Sequence, residues 1–140
     1  MSENKLFPDV EQAREAIKKS TEGLADEIVK ELLEELPGRL QRNIQRGELY
    51  MYHSLSNFSV CKTKQHVEAV QKVEELLRAE GYHVESYLRD YNGVYSYISM
   101  FISWDIEALK ADKYVYDNYQ KAISMKDSCR IGAAPKSTKI

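Results

Sequence analysis

The stretch that decides the fold is GYHVESYLRDYNGVYSYISMFISWD, residues 81–105, in which two alternating runs flank Asn92 and Gly93. Both central residues of a type I′ turn need a positive φ, which Asn and Gly tolerate best. The stretch therefore predicts a β-hairpin with its turn at Asn92-Gly93. The arm that ends at Trp104 is the more apolar one, so we expect it at the centre of the sheet.

Successive side chains of a strand point to opposite faces of the sheet, so the parity of each arm assigns its residues to a face. A preceding strand is predicted from Leu49 to Leu55. One face of the three strands is largely apolar and carries Leu49, Met51, His53, Leu55, Tyr82, Val84, Leu88, Ile98, Met100, Ile102 and Trp104. The opposite face carries Tyr50, Tyr52, Tyr87, Tyr95, Tyr97 and Phe101. Because neither face is plainly polar, the sheet is expected to need cover on both sides.

Helical periodicity surrounds the strands. A short helix is predicted from Val10 to about Ile17, and a longer one has Leu24, Ile28, Leu32 and Leu36 on one stripe. Proline disfavours helix in the residue before it, so Pro37-Gly38 predicts a kink or two abutting helices before Gly47. Two further helices are predicted, from Thr63 to Glu80 with Gly81 as its stop, and from Ile106 to about Ser124.

These elements predict an α+β fold of order α-α-β-α-β-β-α, with a small three-stranded mixed sheet and packed helices. A strand, helix and strand form a crossover that makes the first two strands parallel, and the hairpin adds an antiparallel third strand. At 140 residues the chain fits one domain. We expect that domain over residues 1–125, followed by a flexible C-terminal tail over residues 126–140.

Composition excludes several classes of partner. A net charge of −2 argues against bulk DNA binding and against an anionic membrane surface. The apolar runs are too short to span a bilayer, and the N-terminus lacks the apolar segment of a secretory signal, so a cytoplasmic protein is expected. Cys61 and Cys129 are expected to be free thiols, and no cofactor motif is present in the sequence.

No catalytic signature stands out, and we expect a protein that is not an enzyme. A phosphate-binding loop is absent from the sequence. A metal site from His53, Cys61 and His66 matches no compact zinc spacing, and a Cys61 nucleophile with His66 or His83 lacks an orienting group. The acidic run Glu27, Glu31, Glu34 and Glu35 is interpreted as a solvated helix face.

Two sets of residues are candidates for binding. Arg39, Arg42 and Arg46 stack on one helical stripe, which indicates either cations placed near a helix C-terminus or a site for a phosphate, nucleotide or carboxylate-rich partner. The second set is the aromatic face of the sheet, Tyr50, Tyr52, Tyr87, Tyr95, Tyr97 and Phe101. If the N-terminal helices cover this face, the domain has three layers; if they do not, the face is an interface for a subunit or a ligand.

The run ELLRAEGYHVE, residues 75–85, and the tyrosine-rich hairpin that ends in Ile-Ser-Trp resemble small uncharacterised α/β accessory proteins of tailed bacteriophages. The resemblance covers about residues 44–104. It implies a counter-defence or inhibitory role in the host cytoplasm, in which the protein occupies a host protein. The alternatives are sequestration of a phosphorylated or nucleotide signalling molecule, and a structural role in the virion. The apolar and aromatic faces also predict a homo-oligomer, most simply a dimer.

Overall fold

A computed structural model describes residues 6–90, 94–124 and 128–131 of the chain, which has an α+β fold. The helices are α1 (Val10–Thr21), α2 (Leu24–Gln45), α3 (Thr63–Ala79), α4 (Ile106–Ala111) and α5 (Lys113–Ile123). The strands are β1 (Tyr50–Ser59), β2 (His83–Asp90), β3 (Tyr95–Ser103) and β4 (Ser128–Ile131), and a 3-10 helix at Val60–Lys62 joins β1 to α3. The predicted hairpin turn at Asn92-Gly93 lies outside the described residues.

The sheet has the strand order β1-β3-β2-β4, and every neighbouring pair is antiparallel. The prediction of β3 as a central strand is confirmed. The prediction of a three-stranded mixed sheet is wrong: the described residues form a sheet of four strands, and β1 and β2, which run in the same direction as predicted, each pair antiparallel with β3 rather than with each other. The apolar strand β3 thereby pairs with a strand on each of its edges, which buries it at the centre of the sheet. β1 is also longer than predicted, and its register with β3 shifts between Leu55 and Phe58.

Both faces of the sheet are covered, so the domain has three layers. On one face, α2 and α3 pack over an aliphatic core, and the predicted α2 stripe of Ile28, Leu32 and Leu36 lies buried there. On the other face, α4 and α5 cover a smaller cluster around Phe101, Leu109 and Tyr119. The hypothesis that the N-terminal helices cover the tyrosine face is therefore wrong. The C-terminal helices cover part of it instead.

Two helix predictions also differ from the structure. Of the two alternatives predicted at Pro37, two abutting helices is wrong: α2 continues through Pro37, because Leu36 and Leu40 are both buried and their packing outweighs the local cost of proline. The last predicted helix divides into α4 and α5 at Asp112. The Asp112 backbone is extended, and its carboxylate accepts a hydrogen bond from the Val115 amide (3.1 Å), which starts α5 as a capped helix.

The predicted flexible tail is wrong for residues 128–131, which form β4 and pair with β2. Ile131 is buried in the aliphatic core. Such a short strand has no periodicity of its own, and its pairing with a distant strand defines it. Among the helices that the structure describes, none combines the length and the apolar composition needed to cross a membrane.

Candidate ligand-binding site

The tyrosine face has an open part that α5 leaves uncovered. A pocket of about 410 Å³ lies there, which we call the tyrosine-face pocket; it is lined by Tyr50, Tyr52, Arg89, Tyr97, Ser99, Phe101 and Ala122. The Tyr52 and Phe101 rings lie 5.1 Å apart between centroids and are tilted by 41°. Pockets of this size with aromatic walls are typical of small-molecule sites.

Among the described residues of this wall, Arg89 is the one that carries a charge, and it is 4% exposed. Its Nε donates a hydrogen bond to Ser99 Oγ (3.0 Å), and its Nη2 donates to the Ala122 carbonyl oxygen (3.2 Å). Its Nη1 is buried and has no hydrogen-bond partner in the described part of the chain. Arg89 also takes part in none of the ion pairs between described residues. A buried cation without a counter-charge is costly, and an anionic ligand would relieve that cost.

Beside the pocket, one carboxylate ties three side chains together. Glu85 accepts hydrogen bonds from Tyr87 Oη (2.6 Å), His83 Nε2 (2.7 Å) and Tyr119 Oη (3.0 Å). We call these four residues the Glu85 cluster. Because Tyr119 belongs to α5, the cluster fastens the covering helix to β2. Its neighbour Tyr50 lies 4.9 Å from the Tyr119 ring, edge to face.

The ionisation of the cluster follows from its geometry. Burial alone would raise the pKa of Glu85, but the hydrogen bonds from Tyr87, His83 and Tyr119 outweigh it and hold that pKa below its ordinary value. Burial and the Glu85 carboxylate raise the pKa of Tyr87 to about 12, and they raise the pKa of Tyr119 as well. Both phenols are therefore held protonated as hydrogen-bond donors. That suits a structural lock better than acid–base chemistry near neutral pH.

The structure divides the predicted aromatic set between these two features. Tyr50, Tyr52, Tyr97 and Phe101 line the tyrosine-face pocket, whereas Tyr87 belongs to the Glu85 cluster. Tyr95 lies at the hairpin end of β3, opposite Ser59, and does not line the pocket.

The arginine stripe does not form a single site. Arg39 Nη2 donates to the Tyr52 carbonyl oxygen (3.1 Å), and its Nη1 donates to His53 Nδ1. Arg42, further along α2, and Arg46, the residue after its last turn, are exposed, and their side chains form no ion pair with a described residue. Arg39 thus anchors α2 to β1.

Of the predicted metal candidates, His53 and His66 line one pocket, and Cys61 is not among its lining residues. Cys61 is exposed, and His66 Nδ1 lies 2.8 Å from the Lys62 carbonyl oxygen. No group of three or more His, Cys, Asp or Glu side chains within the described ranges is arranged to hold a metal ion.

Sequence reasoning missed Arg89, the residue that gives the pocket its charge. A signal was present, because Arg89 follows Tyr87 by two positions in a strand and must share its face. The anion site was predicted at Arg39, Arg42 and Arg46 instead, because their spacing places them on one helical stripe. The sequence spacing of the arginines shows on which face each one lies. Only the hydrogen bonds of the folded chain show that Arg89, among these arginines, has a buried donor without a partner in the described residues.

Comparisons of the chain with protein-family models, with curated proteins and with solved structures give no match. The function has to be inferred from the pocket itself.

Proposed function

We propose that the protein is a non-enzymatic binding protein that holds a small anionic ligand with a flat ring in the tyrosine-face pocket, nucleotides being the leading class. The observation that carries this proposal is the buried Arg89, whose Nη1 has no partner within the described residues. In the bacteriophage setting that the resemblance implies, such a protein would sequester a signalling nucleotide in the host cytoplasm.

The charged and the aromatic parts of the pocket suit the anionic group and the ring of a ligand, respectively. A guanidinium forms strong, directional hydrogen bonds with phosphate or carboxylate oxygens. The aromatic rings of Tyr52 and Tyr97 offer flat, apolar surfaces on which a base can stack, and the buried Phe101 ring packs against Tyr52. The volume of about 410 Å³ is near the lower end of the range for small-molecule sites, which favours a mononucleotide over a larger ligand.

Isothermal titration calorimetry against a panel of linear and cyclic mononucleotides, with benzoate as a ring-bearing carboxylate, tests this proposal. The variant Arg89→Met removes the charge and keeps an apolar stem. We expect it to lose about 10- to 100-fold in affinity, because a hydrogen bond to a charged group contributes ~1.5–3 kcal/mol. Affinity of the unmodified protein should also fall as salt is added.

Arg42→Gln is the matched control, since Arg42 is exposed on α2 and lies outside the pocket. If Arg89→Met fails to fold, Ala122→Phe takes its place, because a phenyl group at this wall position fills the pocket without changing its charge. A panel that gives no heat with the unmodified protein contradicts the proposal. Equal losses in Arg42→Gln and Arg89→Met contradict the assignment of the site.

A second function, occupation of a host protein, is favoured by one separate observation. None of the twelve residues of α1, all of which the structure describes, is buried. Phe7, Val10 and Ile17 are 76%, 65% and 55% exposed. Val10 and Ile17 are two helical turns apart on one side of α1, so they form an apolar strip of the kind that an amphipathic helix places in a partner's groove.

This second function is tested by affinity capture from a bacterial host lysate with matched variants. We expect a stoichiometric partner with the unmodified protein and its loss with Val10→Ser/Ile17→Ser. Glu15→Ser, on another side of the same helix, should retain the partner. If the apolar double variant still captures it, α1 is not the contact, and Tyr97→Ala then tests the tyrosine face.

A further inference from the structure

A second pocket lies on the opposite face of the sheet, where α2, β1 and the start of α3 meet. We call it the histidine pocket. It has a volume of about 260 Å³ and is lined by Ile28, Glu31, Leu32, Glu35, His53, Ser54, Leu55, Phe58 and His66. The aliphatic members form an apolar wall, and the two glutamates stand one helical turn apart on α2.

The contacts of the two imidazoles determine their tautomers. Arg39 Nη1 can only donate, so His53 Nδ1 must accept and His53 Nε2 must carry the proton. His66 Nδ1 lies 2.8 Å from the Lys62 carbonyl oxygen, which can only accept, so His66 Nδ1 carries the proton and its Nε2 is an acceptor. One ring therefore offers a donor at Nε2 and the other an acceptor.

Both rings are held in place without help from a ligand. His53 is 7% exposed, and its Nε2 has no hydrogen-bond partner among the described residues. His66 stacks on Phe58 with ring centroids 3.7 Å apart and an interplanar angle of 8°. Burial lowers the pKa of both imidazoles, and the charge of Arg39 lowers that of His53 further, which keeps the rings neutral.

The tautomers and charges select the class of ligand. A metal ion bound at His53 Nε2 would move its proton to Nδ1, which would then face the Arg39 donor. The pair Glu31 and Glu35 disfavours an anion, and neither carboxylate forms an ion pair with a described residue. We propose that the histidine pocket binds a small organic ammonium that also carries a hydrogen-bond acceptor, an amino alcohol being the simplest example.

In this arrangement the ammonium donates to Glu31, Glu35 and His66 Nε2, while His53 Nε2 donates to the hydroxyl oxygen of the ligand. The short alkyl link lies on the apolar wall. This site is distinct from the tyrosine-face pocket, because the two pockets lie on opposite faces of the sheet and have no described lining residue in common.

Proton NMR titration with ethanolamine tests the proposal, since the chain has only three histidines and their ring signals can be assigned by substitution. We expect saturable shifts of the His53 and His66 signals, with a dissociation constant in the roughly millimolar range for so small a probe. The His83 signal should stay in place, because His83 bonds to Glu85 on the other face.

Glu31→Gln/Glu35→Gln should weaken ethanolamine binding about tenfold, because it removes the charge that pairs with the ammonium. Glu34→Gln is the matched control, since Glu34 is exposed on the same helix and does not line the pocket. Ethylene glycol, which lacks the ammonium, should bind more weakly than ethanolamine.

Three results would overturn the proposal. They are the lack of a saturable shift at His53 and His66, equal weakening by Glu34→Gln and the double variant, and equal binding of ethylene glycol and ethanolamine.

Discussion

Glu85→Gln tests whether the Glu85 cluster fastens α5 to the sheet. The Glu85 side chain is 14% exposed and accepts three hydrogen bonds, from Tyr87, His83 and Tyr119. The amide keeps one acceptor oxygen and replaces the other with an NH₂ group that faces donors. Tyr87 Oη can turn and accept from that group, but every bond then lacks the negative charge that strengthens the three bonds to the carboxylate.

The size of the effect follows from these bonds. Each hydrogen bond to a carboxylate contributes ~1.5–3 kcal/mol, but the three share one acceptor and are not additive. In the variant, water can also hydrogen-bond to the partly exposed His83 ring, which reduces the loss of stability. We expect the free energy of unfolding to fall by about 2–4 kcal/mol near neutral pH, measured by urea denaturation.

The pH dependence gives a second measurement. Because the folded-state pKa of Glu85 is lowered, its contribution is present above the unfolded pKa of about 4.3 and is lost as pH falls through the folded pKa. The difference between the unmodified protein and Glu85→Gln should therefore shrink in acid. Tyr119→Phe should reproduce part of the loss, and Glu107→Gln, an exposed change on α4, should have almost no effect. A loss below about 0.5 kcal/mol, or one that is independent of pH, would refute the role of the cluster.

Three further predictions concern the core and the assembly. Ile102→Ala should lower the free energy of unfolding by about 2–5 kcal/mol in urea denaturation, because Ile102 is fully buried; a loss below ~1 kcal/mol would contradict its place in the core. Burial raises the pKa of Glu74, so ionised Glu74 lowers the free energy of unfolding as pH rises above the unfolded pKa of about 4.3. Thermal unfolding should show that Glu74→Gln removes this pH dependence, and an unchanged pH profile would contradict the assignment. If the α1 apolar strip contacts a second copy of the chain instead of a host protein, light scattering should show a dimer, because no described residue buries that strip; a monodisperse monomer at high micromolar concentration would exclude it.

Local patterns predicted the features that depend on local physics. Strand parity assigned Met100 and Ile102 to the aliphatic face and Phe101 to the aromatic face, because alternation in a strand is geometric. The stop of α3 at Gly81 is likewise confirmed, with φ at 98°, a conformation that glycine adopts without strain.

Features that depend on distant partners were beyond these patterns. β4 is a strand only because β2 offers it an edge, and the Asp112 break in the last helix lay inside a run whose apolar spacing looked continuous. At Pro37 the opposite occurred, since a local rule allowed two abutting helices, whereas the buried Leu36 and Leu40 keep α2 a single helix.

The same distinction explains why the candidate site moved from one arginine to another. Arg39 belongs to the predicted arginine stripe, but two of its nitrogens already donate to the Tyr52 carbonyl oxygen and to His53 Nδ1. These bonds hold α2 against β1. Arg89 lies in β2, and the described residues supply hydrogen-bond partners for two of its three guanidinium nitrogens. Anion affinity depends on the donor that folding leaves unsatisfied, because the ligand then gains a hydrogen bond without displacing an existing one. The number of cations along a sequence does not show which of them keeps an unsatisfied donor. Strand parity does show which arginine shares a sheet face with the tyrosines, and Arg89 is such a residue.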